Sequence, residues 1–174
     1  MMPSRLYIGA VMLGAVMISQ SASALSCARP DLVQTLEDAK ASPKIYHVLV
    51  GRFLSRADRP QHGGYGSPED QFTPKPPILT PAVFEGVSLA TSPGQDYPLR
   101  QFRVDIETSC IGPWCSSPPD SSQELISFVE ARDGRPPILR ISPCPNSTFQ
   151  AEAKAVRKLR QCLTRVCQSE GRSW

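Results

Sequence analysis

Histidine is scarce in this chain, with two in 174 residues, and the short motifs that organise a catalytic centre are missing. There is no G-x-S-x-G, no H-E-x-x-H and no glycine-rich phosphate loop opening a helix, which removes the usual sequence signatures of serine hydrolases, zinc peptidases and nucleotide-binding enzymes. No C-x-x-C pair occurs, and both histidines lie far from Cys110 and Cys115, so zinc binding and thioredoxin-type redox chemistry lack their ligands. No cofactor is implied. The apolar-dominated run over residues 6–18 falls short of the ~20 residues needed to cross a bilayer. A net charge of +3 is too small to argue for nucleic acid or membrane as the main partner.

What is present begins with an export leader. Arg5, the apolar run 6–18 and small polar residues through Ala24 form the three regions of a signal peptide over residues 1–24, with Ala22-Ser23-Ala24 as an Ala-x-Ala cleavage site. Lipid attachment at Cys27 would want an apolar residue at position 24, and alanine fits poorly. The expected location is the periplasm or the exterior. All six cysteines, Cys27, Cys110, Cys115, Cys144, Cys162 and Cys167, follow the leader, and an even number in an exported chain reads as three disulfides. Residues 25–174 suit one domain with one core.

Eighteen prolines restrict helices to two places. Residues 30–40 are the first: Pro30 and Asp31 suit a first turn, Leu32, Leu36 and Ala39 share a face, and Ser42-Pro43 ends it. Residues 44–54 read as a buried strand that bends at Gly51, with His47 as a packed or rim residue rather than a ligand. Residues 56–80, rich in proline and glycine, read as a long surface excursion with partial disorder, and His62 within it has no second ligand nearby. Strands follow over 81–90, 99–108, 125–131 and 137–141. Phe102, Val104 and Ile106 alternate against Arg103, Asp105 and Glu107, which puts one side in the core and the other in water. Asp133-Gly134 between the last two strands is a hairpin signal.

The final element opens at Ser147-Thr148-Phe149-Gln150, which has the form of a capping box. Val156, Leu159, Leu163 and Val166 form its apolar stripe, and Lys154, Arg157, Lys158 and Arg165 lie opposite. On a continuous helix Cys162 and Cys167 lie about 140° apart around the axis, so they cannot pair there, and Cys162 is expected to staple the helix to the body. The fold expectation is mainly β with flanking helices: a five-stranded OB-like barrel, a short N-terminal helix and a C-terminal amphipathic helix.

An early cysteine before a short helix, strands around glycines, Cys110 after a central strand, Cys144 after a late hairpin and a closing helix resemble the netrin-like module, as found in tissue inhibitors of metalloproteinases and exported bacterial proteins. The resemblance covers residues 27–167 and implies the same OB-like barrel. By position Cys27 is similar to the second cysteine of the family's Cys-x-Cys start, which implies a Cys27–Cys144 disulfide and leaves the partition of Cys110, Cys115, Cys162 and Cys167 open. Leu25 stands where the inhibitors place the cysteine that coordinates a protease's zinc. Metalloprotease inhibition therefore requires cleavage directly before Cys27.

Two classes of function compete. The first is a binding module without catalysis whose partner is another exported protein. The second is an exported hydrolase with a spatially assembled site, for which Asp105 and Glu107 are the nearest carboxylate pair, although alternation assigns them to the wet face. Binding of single-stranded nucleic acid would want aromatics beside basic residues on a strand face, and Phe102 with Arg103 is thin support.

Overall fold

Two glycines decide how the first strands of the molecule meet. In the computed structural model, which describes residues 27, 30–54, 75–89 and 96–168, β1 (Tyr46–Leu54) pairs antiparallel with β2 (Ile78–Ser88), and Gly51 stands opposite Gly86. A Cβ on Gly51 would fall 2.1 Å from the Glu85 carbonyl oxygen, 2.7 Å from Gly86 Cα and 2.8 Å from the Phe84 ring. Only hydrogen fits there. The Phe84 ring lies over both glycines and packs on Phe53 with centroids 5.0 Å apart.

β3 (Tyr97–Thr108) runs antiparallel to β2, with a bulge where Arg100 and Gln101 face the single Glu85 and Gln101 takes φ +51°. β6 (Leu125–Glu130) and β7 (Ile138–Ile141) complete the barrel. β3 pairs parallel with β7, β7 meets β6 at Glu130↔Ile138, and β6 returns antiparallel to β1 from Tyr46↔Glu130 to Gly51↔Leu125. The closed five-stranded order is β1-β2-β3-β7-β6, an OB-like barrel. Two short strands, β4 (Cys110–Ile111) and β5 (Trp114–Cys115), form a hairpin after β3. β8 (Thr148–Gln150) adds to the far edge of β6, and helices α1 (Leu32–Ala41) and α2 (Ala153–Leu163) sit near the two ends of the chain.

Alternation along β1 and β6 divides the core into two layers. Leu49, Phe53, Phe84, Val104, Ile106 and Leu139 fill the barrel. Val48, Ile126 and Phe128 point the other way and meet Val33 and Leu36 of α1 and Leu159 and Cys162 of α2. β6 is therefore buried on both faces from Leu125 to Val129, with Ser127 the one polar residue of that run, rather than alternating.

Local chemistry sets the helix ends. Asp31 caps α1, its carboxylate accepting from Val33 N at 2.8 Å and Gln34 N at 2.9 Å. Lys40 Nζ donates to the carbonyls of Cys162, at 2.5 Å, and Arg165, at 3.2 Å, so α1 supplies the cationic cap for the end of α2.

Several sequence expectations are corrected. β2 begins at Ile78, so the excursion does not reach residue 80; Pro81 sits inside the strand. Its partner Asp105 donates its N–H to Pro137 O across the barrel seam, which turns the missing N–H of Pro81 away from β3, to the side of β2 that faces β1 and beyond Leu54↔Val83, the last described pair. The capping box fails because residues 148–150 extend as β8, where Phe149 meets Phe128 edge-on, and Ser147 Oγ donates to Arg140 O. α2 starts later, behind Glu152, without a side-chain cap. The Asp-Gly hairpin exists with Gly134 at φ +64°, but its ladder holds one pair because Pro136 and Pro137 have no N–H to extend it.

The largest correction concerns Cys162 and Cys167, which pair with each other. An unbroken helix would hold their Cα atoms about 9 Å apart. α2 instead ends at Leu163, the chain turns back after Thr164, and the distance falls to 5.3 Å. Cys162 does not staple the helix to the body, and Val166, past the helix end, is 84% exposed rather than part of the apolar stripe. The leader over residues 1–24 and most of the excursion, 56–74 with His62, lie outside the described residues.

Candidate interaction face

The hairpin that follows β3 is built to be stiff. Gly112 takes φ +54° and Pro113 follows it, a two-residue turn whose first position has the left-handed conformation that glycine adopts at low cost. Cys110 and Cys115 stand directly opposite and are joined by a disulfide, with Ile111 opposite Trp114 as the next pair. The base is tied to the barrel by Ser116: its N–H donates to Ser109 O at 2.9 Å, and its hydroxyl accepts from Ser109 N at 3.0 Å and donates to Ile141 O at 2.7 Å. Ile111 and Trp114 remain 44% and 40% exposed.

Trp114 and Cys115 border a broad cleft of about 650 Å³, lined also by Pro119, Pro143, Phe149 and Cys27. None of its described lining residues is charged. The other polar lining is amide and hydroxyl, from residues such as Gln123 and Gln150. Cys27 reaches this end because it is bonded to Cys144, the pairing that the netrin-like resemblance implied. Its sulfur is thereby unavailable for a lipid thioether. With Cys162–Cys167 the six cysteines form three disulfides and leave no free thiol.

The other residues singled out from sequence have structural positions. Asp105 pairs with Arg132, and Glu107 accepts from Arg140 Nε at 3.0 Å. Arg140 also pairs with Glu130, which meets Lys44 at 3.1 Å. These charges cross-link β3, β7, β6 and the start of β1 on the barrel's outer side, so Asp105 and Glu107 are engaged by arginine rather than open to water. Burial pushes the Glu130 carboxyl up, and hydrogen bonding to Lys44 with the Arg140 charge outweighs it, leaving it below the ordinary carboxylate range. His47 is half-buried on β1 opposite Val129. Among the described residues no group of three His, Cys, Asp or Glu is arranged to hold a metal ion. No described helix is long and apolar enough to cross a membrane.

Sequence reasoning counted Cys110 and Cys115 among the disulfide-forming cysteines with their partners open, and missed that residues 110–115 form a hairpin that displays Trp114. The available signal was a tryptophan beside a Gly-Pro turn, a poor place for a core residue. Comparison with family models, with characterised proteins and with solved structures finds no match to this chain.

Proposed function

We propose that this chain is an exported, netrin-like interaction module without catalysis, and that it holds another exported protein through the end of the barrel that carries the β4–β5 hairpin. Three disulfides fit an oxidising compartment. The observation that carries the reading is the exposed Ile111–Trp114 pair on a covalently clasped turn at the rim of a cleft whose described lining carries no charge. A tryptophan fixed before binding spends little conformational entropy on docking, and such residues commonly dominate interface energetics.

Site-specific photocrosslinking tests this. A photoreactive amino acid at Ile111 should give a discrete adduct from the exported fraction, and one at Leu79, which is 49% exposed elsewhere on β2, should not. The partner so isolated should lose on the order of thirtyfold in affinity for Trp114→Ala, whose unfolding midpoint stays unchanged. Equal affinity for the variant refutes the reading. A second reading, inhibition of zinc metalloproteases, draws on Cys27 lining the same cleft; it requires a mature chain that begins at Cys27, which N-terminal sequencing decides.

A further inference from the structure

The modest net charge hides a strong asymmetry. Residues 153–165 carry five of the nineteen cations, Lys154, Arg157, Lys158, Arg160 and Arg165, and none of the sixteen anions; the rest of the chain therefore has fourteen cations against sixteen anions, a net of −2. On the helix, Lys154, Arg157, Lys158 and Gln161 fall within an arc of about 100°. Lys154, Arg157 and Gln161 on it are exposed, while Leu159 and Cys162 are buried against α1 and β6. Arg165 is exposed just beyond the helix end, beside Val166.

The contrast with the barrel is specific. Lys44, Arg52, Arg132 and Arg140 each meet a carboxylate. On α2, Arg160 meets Asp96, but no described carboxylate lies within ion-pair distance of Lys154, Arg157 or Arg165. The helix cannot roll to bury them, because Lys40 holds its terminal carbonyls and Glu37 pairs with Lys40 at 2.9 Å.

We infer that α2 docks this protein onto an anionic phospholipid surface through Lys154, Arg157 and Arg165, with Val166 as the apolar tip. Charge complementarity names the sign of the partner, and the form of the patch names its kind. Its described residues offer dispersed cations and one exposed aliphatic side chain with no aromatic among them, which suits a diffuse and fluid surface. None of Lys154, Arg157, Arg165 and Val166 lines the cleft beside Trp114.

Cosedimentation of the purified full-length mature protein with vesicles tests the inference. Phosphatidylglycerol–phosphatidylcholine vesicles should bind it, and phosphatidylcholine alone should not. At about fivefold per cation near the surface, the triple variant Lys154→Gln, Arg157→Gln, Arg165→Gln should weaken binding on the order of a hundredfold. High salt should do the same to the wild type. The charge-keeping variant Lys154→Arg, Arg157→Lys, Arg165→Lys should bind as the wild type does. Binding to neutral vesicles, an unaffected triple variant, or retention on polyglutamate without any vesicle binding would each overturn it.

Discussion

Replacing Gly51 by alanine should be among the most damaging single-methyl additions in this protein, and a matched control isolates why. Gly51, at φ +157°, and Gly134, at φ +64°, both occupy backbone conformations that L side chains rarely adopt. Each substitution therefore brings strain of about 1–3 kcal/mol. They differ in surroundings. Around Gly134 a Cβ meets nothing within 4 Å, whereas at Gly51 it overlaps the Glu85 carbonyl and Gly86 Cα, backbone atoms that move only if β1 and β2 separate. Overpacking of this kind adds about 1–3 kcal/mol or more, so Gly51→Ala should lose about 4 kcal/mol, a large part of the ~5–15 kcal/mol that holds a domain folded. With a urea m-value of about 2 kcal/mol/M, the midpoint falls by about 2 M. Equilibrium unfolding of the two variants and the wild type, with disulfides intact, measures it. If Gly51→Ala lands within about 0.5 kcal/mol of Gly134→Ala, near the additivity error of such measurements, the close-approach argument is wrong.

The disulfides should rank by the chain they close. Cys27–Cys144 spans 117 residues and each of the others spans 5, so on the chain-entropy account paired serine replacement costs about 5 kcal/mol for the first and about 2 kcal/mol for Cys110–Cys115. A larger loss from the hairpin bond would contradict this ranking. Acid should destabilise the protein partly through Glu130. Its folded-state pKa lies below the ordinary 4.5, so its contribution is present above that value and is lost as pH falls through the depressed one. Stability measured from about pH 5 to about pH 3 should fall less steeply in Glu130→Gln than in the wild type, and parallel curves would show that Lys44 and Arg140 do not hold the carboxylate.

The elements whose signals were local were legible. The alternation of Phe102, Val104 and Ile106 located β3, and Asp31 with Ser42-Pro43 bounded α1 to within two residues. The partners of strands were not legible, because the parallel β3–β7 pairing joins segments that share no short-range pattern. Ser147-Thr148-Phe149-Gln150 carries a real helix-start motif, and it lost to a tertiary contact, Phe149 on Phe128, that outweighs a cap. Cys162 and Cys167 were misjudged because the stop at Leu163 has no glycine or proline to announce it. It is enforced from outside by Lys40. For the candidate face, the sequence marked Cys110 and Cys115 as disulfide-forming, but neither their pairing across a hairpin nor the outward turn of Trp114 was legible, because both depend on packing that only the assembled barrel supplies.

The spacing of the cysteines also bears on how the reduced chain finds one connectivity among the fifteen that six cysteines allow. The probability that two points on a chain meet falls roughly as the three-halves power of the intervening length. Cys110 therefore encounters Cys115, and Cys162 encounters Cys167, on the order of a hundred times more often than Cys27 encounters Cys144, given separations of 5, 5 and 117. Once the two local bonds have closed, only Cys27 and Cys144 still carry thiols, and no wrong partner is left for either. The nearest competing pair, Cys144 and Cys162, is 18 residues apart and meets about sevenfold less often than either local pair, so oxidation sorts itself mainly by distance along the chain, the long bond closes last, and isomerase-driven reshuffling has little to repair.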